Sequence, residues 1–122
     1  MSKKTGYVYW ANSRKIDKTD KKPRRQYAII RDNGKNVGVV KIRGINENDK
    51  NKNRLYELDM KKYPLTKRSG VDNYVYSRRS DNKKLLSLQD KQVFDAFPVF
   101  RLSSNDTHKA ILHTRKNKKG RR

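Results

Sequence analysis

Apolar positions in the first third of this chain recur at strand period. Gly6-Tyr7-Val8-Tyr9-Trp10-Ala11 combines aromatic and β-branched residues, which suit a half-buried pleated surface and predict a first strand. Tyr7 and Tyr9 then share one strand face, and Val8 and Trp10 the other. Gln26 to Ile30 and Val37 to Ile42 flank Asp32-Asn33-Gly34-Lys35, and Asn-Gly between β-branched runs predicts a hairpin. The intervening Asn12 to Arg25 is polar, with Pro23 and seven basic residues. It reads as a loop long enough to be functional.

Past Gly44 the pattern weakens. Residues 44–53 read as a solvated loop, Leu55 to Leu58 as a short strand ended near Tyr63-Pro64, and Val71 to Ser77 as a further strand. Ser80-Asp81-Asn82 marks a turn, and Lys84 to Leu88 either closes a sheet or begins a short helix. Phe94, Phe97, Val99 and Phe100 around Pro98 are expected to supply core bulk. Ser103 or Ser104 can cap exposed amides and Asp106 suits a positive first turn, so a helix is predicted over Thr107 to Thr114. The layout is mainly β: five or six short strands and one C-terminal helix, a small barrel or α+β domain.

The chain has 122 residues, 32% of them hydrophobic, which bounds it to one domain with a small core. The expected organisation is a basic N-terminal arm (1–5), one domain (6–114) and a basic tail (115–122), disordered when unbound. Charge changes the picture most: 33 Lys and Arg against 12 Asp and Glu, net +21. Residues 1–46 hold 13 basic and 3 acidic groups, and residues 115–122 hold 6 basic and none acidic. Such an excess calls for an anionic partner, nucleic acid first. With no cysteine, disulfides and thiolate chemistry are excluded. No apolar run is long enough to span a bilayer, no signal-peptide core follows Met1, and no basic amphipathic helix suggests membrane adsorption. A cytoplasmic protein is expected.

Enzymatic sites are sparse. His108 and His113 lie about 140° apart around a helix and cannot share a metal on one face. Asp59-x-Lys61 has the form of a metal-nuclease pair but lacks an upstream strand aspartate, and the isolated glycines form no nucleotide cradle. No metal and no cofactor is expected. Basic clusters remain: Arg24-Arg25, Lys41 with Arg43, Lys67-Arg68, Arg78-Arg79, Lys83-Lys84, and Arg115-Lys116 at the head of the tail. At strand ends and loops these can meet phosphates, making binding steeply salt-dependent. Exposed aromatics would stack unpaired bases, and no helix-turn-helix, zinc finger or zipper is visible, so single-stranded RNA is favoured, with DNA the alternative.

The order of elements resembles the PemK/MazF-like toxins of toxin-antitoxin systems. Gly6-Tyr7-Val8-Tyr9-Trp10 stands for that family's Gly-x-Val-x-Trp opening strand. Arg24-Arg25-Gln26 before Tyr27 to Ile30 stands for its Arg-Arg-Pro loop end, and Arg101 to Asp106 resembles its lead into a short helix. The resemblance implies an SH3-like barrel, often a homodimer with an acidic antitoxin partner, and metal-independent endoribonuclease activity using the RNA's own 2′-OH. It puts Arg25 at the phosphate, with Arg24 beside it. Asn46 stands near the family's hydroxyl position, where an amide can hydrogen-bond phosphate but is poorly suited to carrying a proton. The alternative is a non-enzymatic basic protein of a phage or mobile element that binds RNA or DNA or inhibits a nucleic-acid-guided defence nuclease. Regulation through duplex DNA, with Thr107 to Thr114 as recognition helix, ranks last.

Overall fold

The computed structural model describes residues 4–46, 54–77 and 85–120. Its elements in chain order are β1 (Tyr7–Asn12), α1 (Ser13–Ile16), β2 (Arg24–Asp32), β3 (Val37–Gly44), β4 (Tyr56–Glu57), β5 (Ser69–Val71), β6 (Phe100–Arg101) and α2 (Ser104–Gly120). Six antiparallel strands in the order β4-β5-β3-β2-β1-β6 curl into a half-barrel. With α2 this is the small β barrel and C-terminal helix expected from the strand-period pattern.

The β2–β3 hairpin turns at Gly34, whose φ of +95° is a conformation that glycine adopts without strain. The Asp32 carboxylate accepts from Gly34 N at 2.8 Å, and the Asn33 side chain accepts from Asn36 N at 2.8 Å, so the turn residues hold the turn themselves. Both sheet faces are covered, which is why β3 is buried at each of its first six positions rather than at every other one. One face carries Val8, Ala28, Ile30, Val40 and Ile42 against Leu58, Tyr63, Leu102 and Ala110 of α2. The other carries Tyr9, Ala11, Tyr27, Ile29 and Val39 against Ile16, Leu86, Val93 and Phe94. The limited apolar content is thus divided between two small cores.

Several expectations are corrected. The Asn12 to Arg25 loop contains the single turn α1. The strand expected over Val71 to Ser77 is instead Ser69–Val71 plus one bridge, Tyr76 to Val39. Between them Asp72 turns its carboxylate inward to Arg43 and Arg54, at 3.0 and 3.1 Å, which breaks the ladder. Of the two readings given for Lys84 to Leu88, the sheet one holds at Leu86, whose carbonyl accepts from Val37 N at 3.0 Å. Phe94 is buried, but Phe97 is 81% exposed and Val99 is exposed too, so neither is core.

α2 starts at Ser104, three residues ahead of the expected Thr107, on one of the two serines expected to cap it. Ser103 Oγ accepts from Asp106 N at 3.1 Å, a side-chain N-cap. The helix outruns Thr114 and takes in residues 115–120, assigned above to a disordered tail. Arg and Lys are good helix formers, and cations suit the negative C-terminal end of a helix. The Ser80-Asp81-Asn82 turn lies outside the described residues.

Candidate nucleic-acid interface

The site is built from a polar lock on one face of the sheet and a groove on the other. In antiparallel pairing Tyr27 opposes Lys41, and Arg25 lies two residues before Tyr27 on the same strand face. The loop after α1 closes over this face and brings in two carboxylates. Lys41 Nζ sits 2.9 Å from Asp17 and 2.8 Å from Asp20, and Arg25 Nε sits 2.7 Å from Asp20. Tyr76 Oη donates to Asp17 at 3.2 Å. The Asp20 carboxylate is 1% exposed and also accepts from Lys22 N at 3.0 Å. Burial resists ionisation of both acids. Hydrogen bonds from Thr19 and Lys41 to Asp17, and from Arg25 and Lys41 to Asp20, more than offset that and hold both carboxyls down at about 2.

Further bonds fix the loop backbone. Ser13 Oγ donates to the Lys22 carbonyl, and Arg14 donates to the Lys21 carbonyl at 2.9 Å. The basic stretch therefore leads into β2 in a set conformation.

Trp10, Gln26 and Ile42 are successive cross-strand neighbours on β1, β2 and β3, so their side chains form one row across the sheet. That row floors a groove of about 370 Å³. Lys22, Arg24 and Arg25 form one wall, Pro64 to Lys67 another, and Val99 a third. Among the described residues the charged ones lining it are all basic, and Trp10 is 39% exposed within it. The Arg24 guanidinium lies over the indole, 5.9 Å from its centroid, while pairing with Asp95 at 2.6 Å. Lys67 lies across Gly44, where an added Cβ would stand 2.6 Å from its Cε. Neither Lys22 nor Lys67 has a carboxylate partner among the described residues.

Of the residues singled out from sequence, Arg24, Arg25 and Lys67 line this groove together. Lys41 is turned inward and is 8% exposed. Arg43 faces Asp72, and Arg68 pairs through Nε and Nη2 with Glu57 at 2.8 and 2.9 Å. Asn46 lies two residues beyond the end of β3 and is exposed. Arg115 is exposed on α2, whose backbone continues through Lys116. Arg78, Arg79, Lys83 and Lys84 lie outside the described residues. Asp59 binds the Lys61 amide at 2.8 Å, a turn contact. His113 Nε2 meets the Arg54 carbonyl, and His108 is exposed.

Sequence reasoning missed Lys22 and Val99 in the groove and the Asp17/Asp20 lock beneath it. A signal for the lock existed: two of the three acids in residues 1–46 lie three positions apart inside the basic loop. In so cationic a segment, carboxylates are natural candidates for inward partners.

Compared with protein-family models, curated proteins and solved structures, the chain gives no significant match to any of them.

Proposed function

We propose that this protein binds single-stranded nucleic acid, RNA in the first place, along the Trp10 groove. The observation that carries the reading is an exposed indole in a concave site whose charged lining, among the described residues, is cationic throughout. Lys22, Arg24 and Lys67 supply phosphate contacts, and Trp10 supplies a stacking face that any unpaired base can use. Arg25, fixed by Asp20, presents a permanently charged guanidinium at the groove wall.

Cleavage of the PemK/MazF-like kind is the second reading. It is favoured by Arg24 and Arg25 sharing the groove with Gly44, at the end of β3. Against it, the described lining holds no histidine or carboxylate to move the 2′-OH proton. Binding is the function the geometry supports best.

Trp10 is the sole tryptophan, so its fluorescence reports on the site directly. Titration with an unstructured RNA oligonucleotide, the matching DNA strand and a duplex is expected to quench it most with the single strands. Affinity should fall steeply with salt, by about 0.7 in log-log slope per phosphate contacted. Absence of binding at low salt, or duplex binding that leaves Trp10 unquenched, would overturn the reading. Fragments with cyclic phosphate ends in EDTA, lost in Arg25→Ala, would establish the nuclease reading instead. Binding confined to an acidic protein would favour the inhibitor alternative.

A further inference from the structure

Three large apolar side chains are exposed along one stretch of the β1 edge: Trp10 at 39%, Phe97 at 81% and Val99 at 38%. Their grouping follows from the backbone. Val8 pairs with Phe100 and Ala11 bridges Phe94, so the second segment takes six steps where β1 takes three. The surplus residues are thrown outward as an arch. Both feet are fastened to β1: Val99 N donates to the Val8 carbonyl at 2.7 Å, and Asp95 N donates to the Trp10 carbonyl at 3.0 Å. Pro98 stiffens the span. Phe97 stands on it, exposed, in a loop clamped at both ends.

The arch is also tied to the groove through side chains. Asp95 holds Arg24 at 2.6 Å, and Arg24 covers the Trp10 ring. Val99, at the far foot, lines the groove. A large aromatic side chain gains by burial, yet the arch leaves Phe97 in solvent, two residues along the chain from Val99 in the lining of the cationic groove. An aromatic ring in that setting matches an unpaired base stacking while its phosphate meets a cation.

We infer that the 95–99 arch extends the Val99 wall of the interface, with Phe97 the side chain on which an unpaired base stacks next to the one at Trp10. This rests on the nucleic-acid reading above and adds a residue and a selectivity to it. Trp10 and Phe97 together select for single strands, since bases in a duplex present no free face to either ring.

The test uses the full chain and a uridine dodecamer, with Phe97→Ala, Phe97→Trp and Lys67→Ala. Because Phe97 is exposed, Phe97→Ala is expected to keep the wild-type melting temperature. It should weaken dodecamer binding about tenfold while leaving duplex affinity and the salt slope unchanged. Phe97→Trp should restore the affinity and add a second quenched indole. Lys67→Ala should weaken strand and duplex alike and lower the slope. Wild-type affinity in Phe97→Ala, with Lys67→Ala weakened, overturns the arch and leaves the groove standing. A wild type that binds no nucleic acid overturns the reading underneath. A dimer lost in Phe97→Ala with unchanged RNA affinity would assign the ring to self-association and overturn the inference.

Discussion

Replacing Asp20 with asparagine keeps its shape and removes the charge at the centre of the lock. The carboxylate accepts from Arg25 Nε at 2.7 Å, Lys41 Nζ at 2.8 Å and Lys22 N at 3.0 Å. Asparagine can still offer one oxygen to the Lys22 amide, but its NH2 then faces two cations. Breaking a buried ion pair by removing one partner costs about 3 to 5 kcal/mol. Lys41 keeps Asp17 at 2.9 Å, so the lower end applies, about 3 kcal/mol and a fall in Tm of about 10 °C. The deficit should depend on pH with a definite sign. The Asp20 pKa is lowered from 3.8 to about 2 in the folded protein, so its ionic stabilisation is complete above the unfolded value and lost as pH falls through the folded one. Wild type and Asp20→Asn should therefore differ most above about pH 4 and converge toward pH 2, with on the order of 2 kcal/mol of the gap closing. Urea unfolding followed by circular dichroism across pH 2 to 7 reads this out. A deficit below about 1 kcal/mol at pH 7, or one that does not narrow with acid, would refute the lock as described.

Tyr27 is wholly buried and its hydroxyl has no hydrogen-bond partner among the described residues, so Tyr27→Phe is expected to be neutral or to stabilise by about 1 kcal/mol; a loss of stability in thermal melts would reveal a partner. Gly44→Ala places its methyl against the movable end of Lys67; it should melt like wild type yet weaken RNA binding nearly as much as Lys67→Ala, and wild-type affinity would show that Lys67 does not need this path. Asp95 competes with phosphate for Arg24 through a half-exposed pair, worth at most about 1 kcal/mol. Asp95→Asn should raise RNA affinity up to about fivefold, with no gain in an Arg24→Ala background, and a gain that persists there would be general electrostatics.

Local chemistry was legible wherever a residue's role depends on its neighbours in sequence. Asn33-Gly34 announces its hairpin because the turn residues bind their own backbone, and Ser103 with Asp106 announces the start of α2 for the same reason. Tyr7 to Ala11 reads as a strand from its side chains alone, and so do the runs on either side of the hairpin. The concentration of positive charge in the first 46 residues points by itself to an anionic partner, and Arg24, Arg25 and Lys67 are visible as candidates.

Which cations face outward was decided by tertiary structure, because that depends on where scarce carboxylates arrive from distant segments. Lys41 and Arg25 meet Asp17 and Asp20 through the loop after α1, and Arg43 meets Asp72 at the end of the neighbouring strand β5. The same holds for Phe97, whose hydrophobicity argues for the core, whereas the pairing of β1 with residues 94 and 100 leaves it on an outward arch. Composition sets how much charge and apolar surface the chain has, but strand register and loop closure determine which of it is neutralised inside and which is left for a ligand.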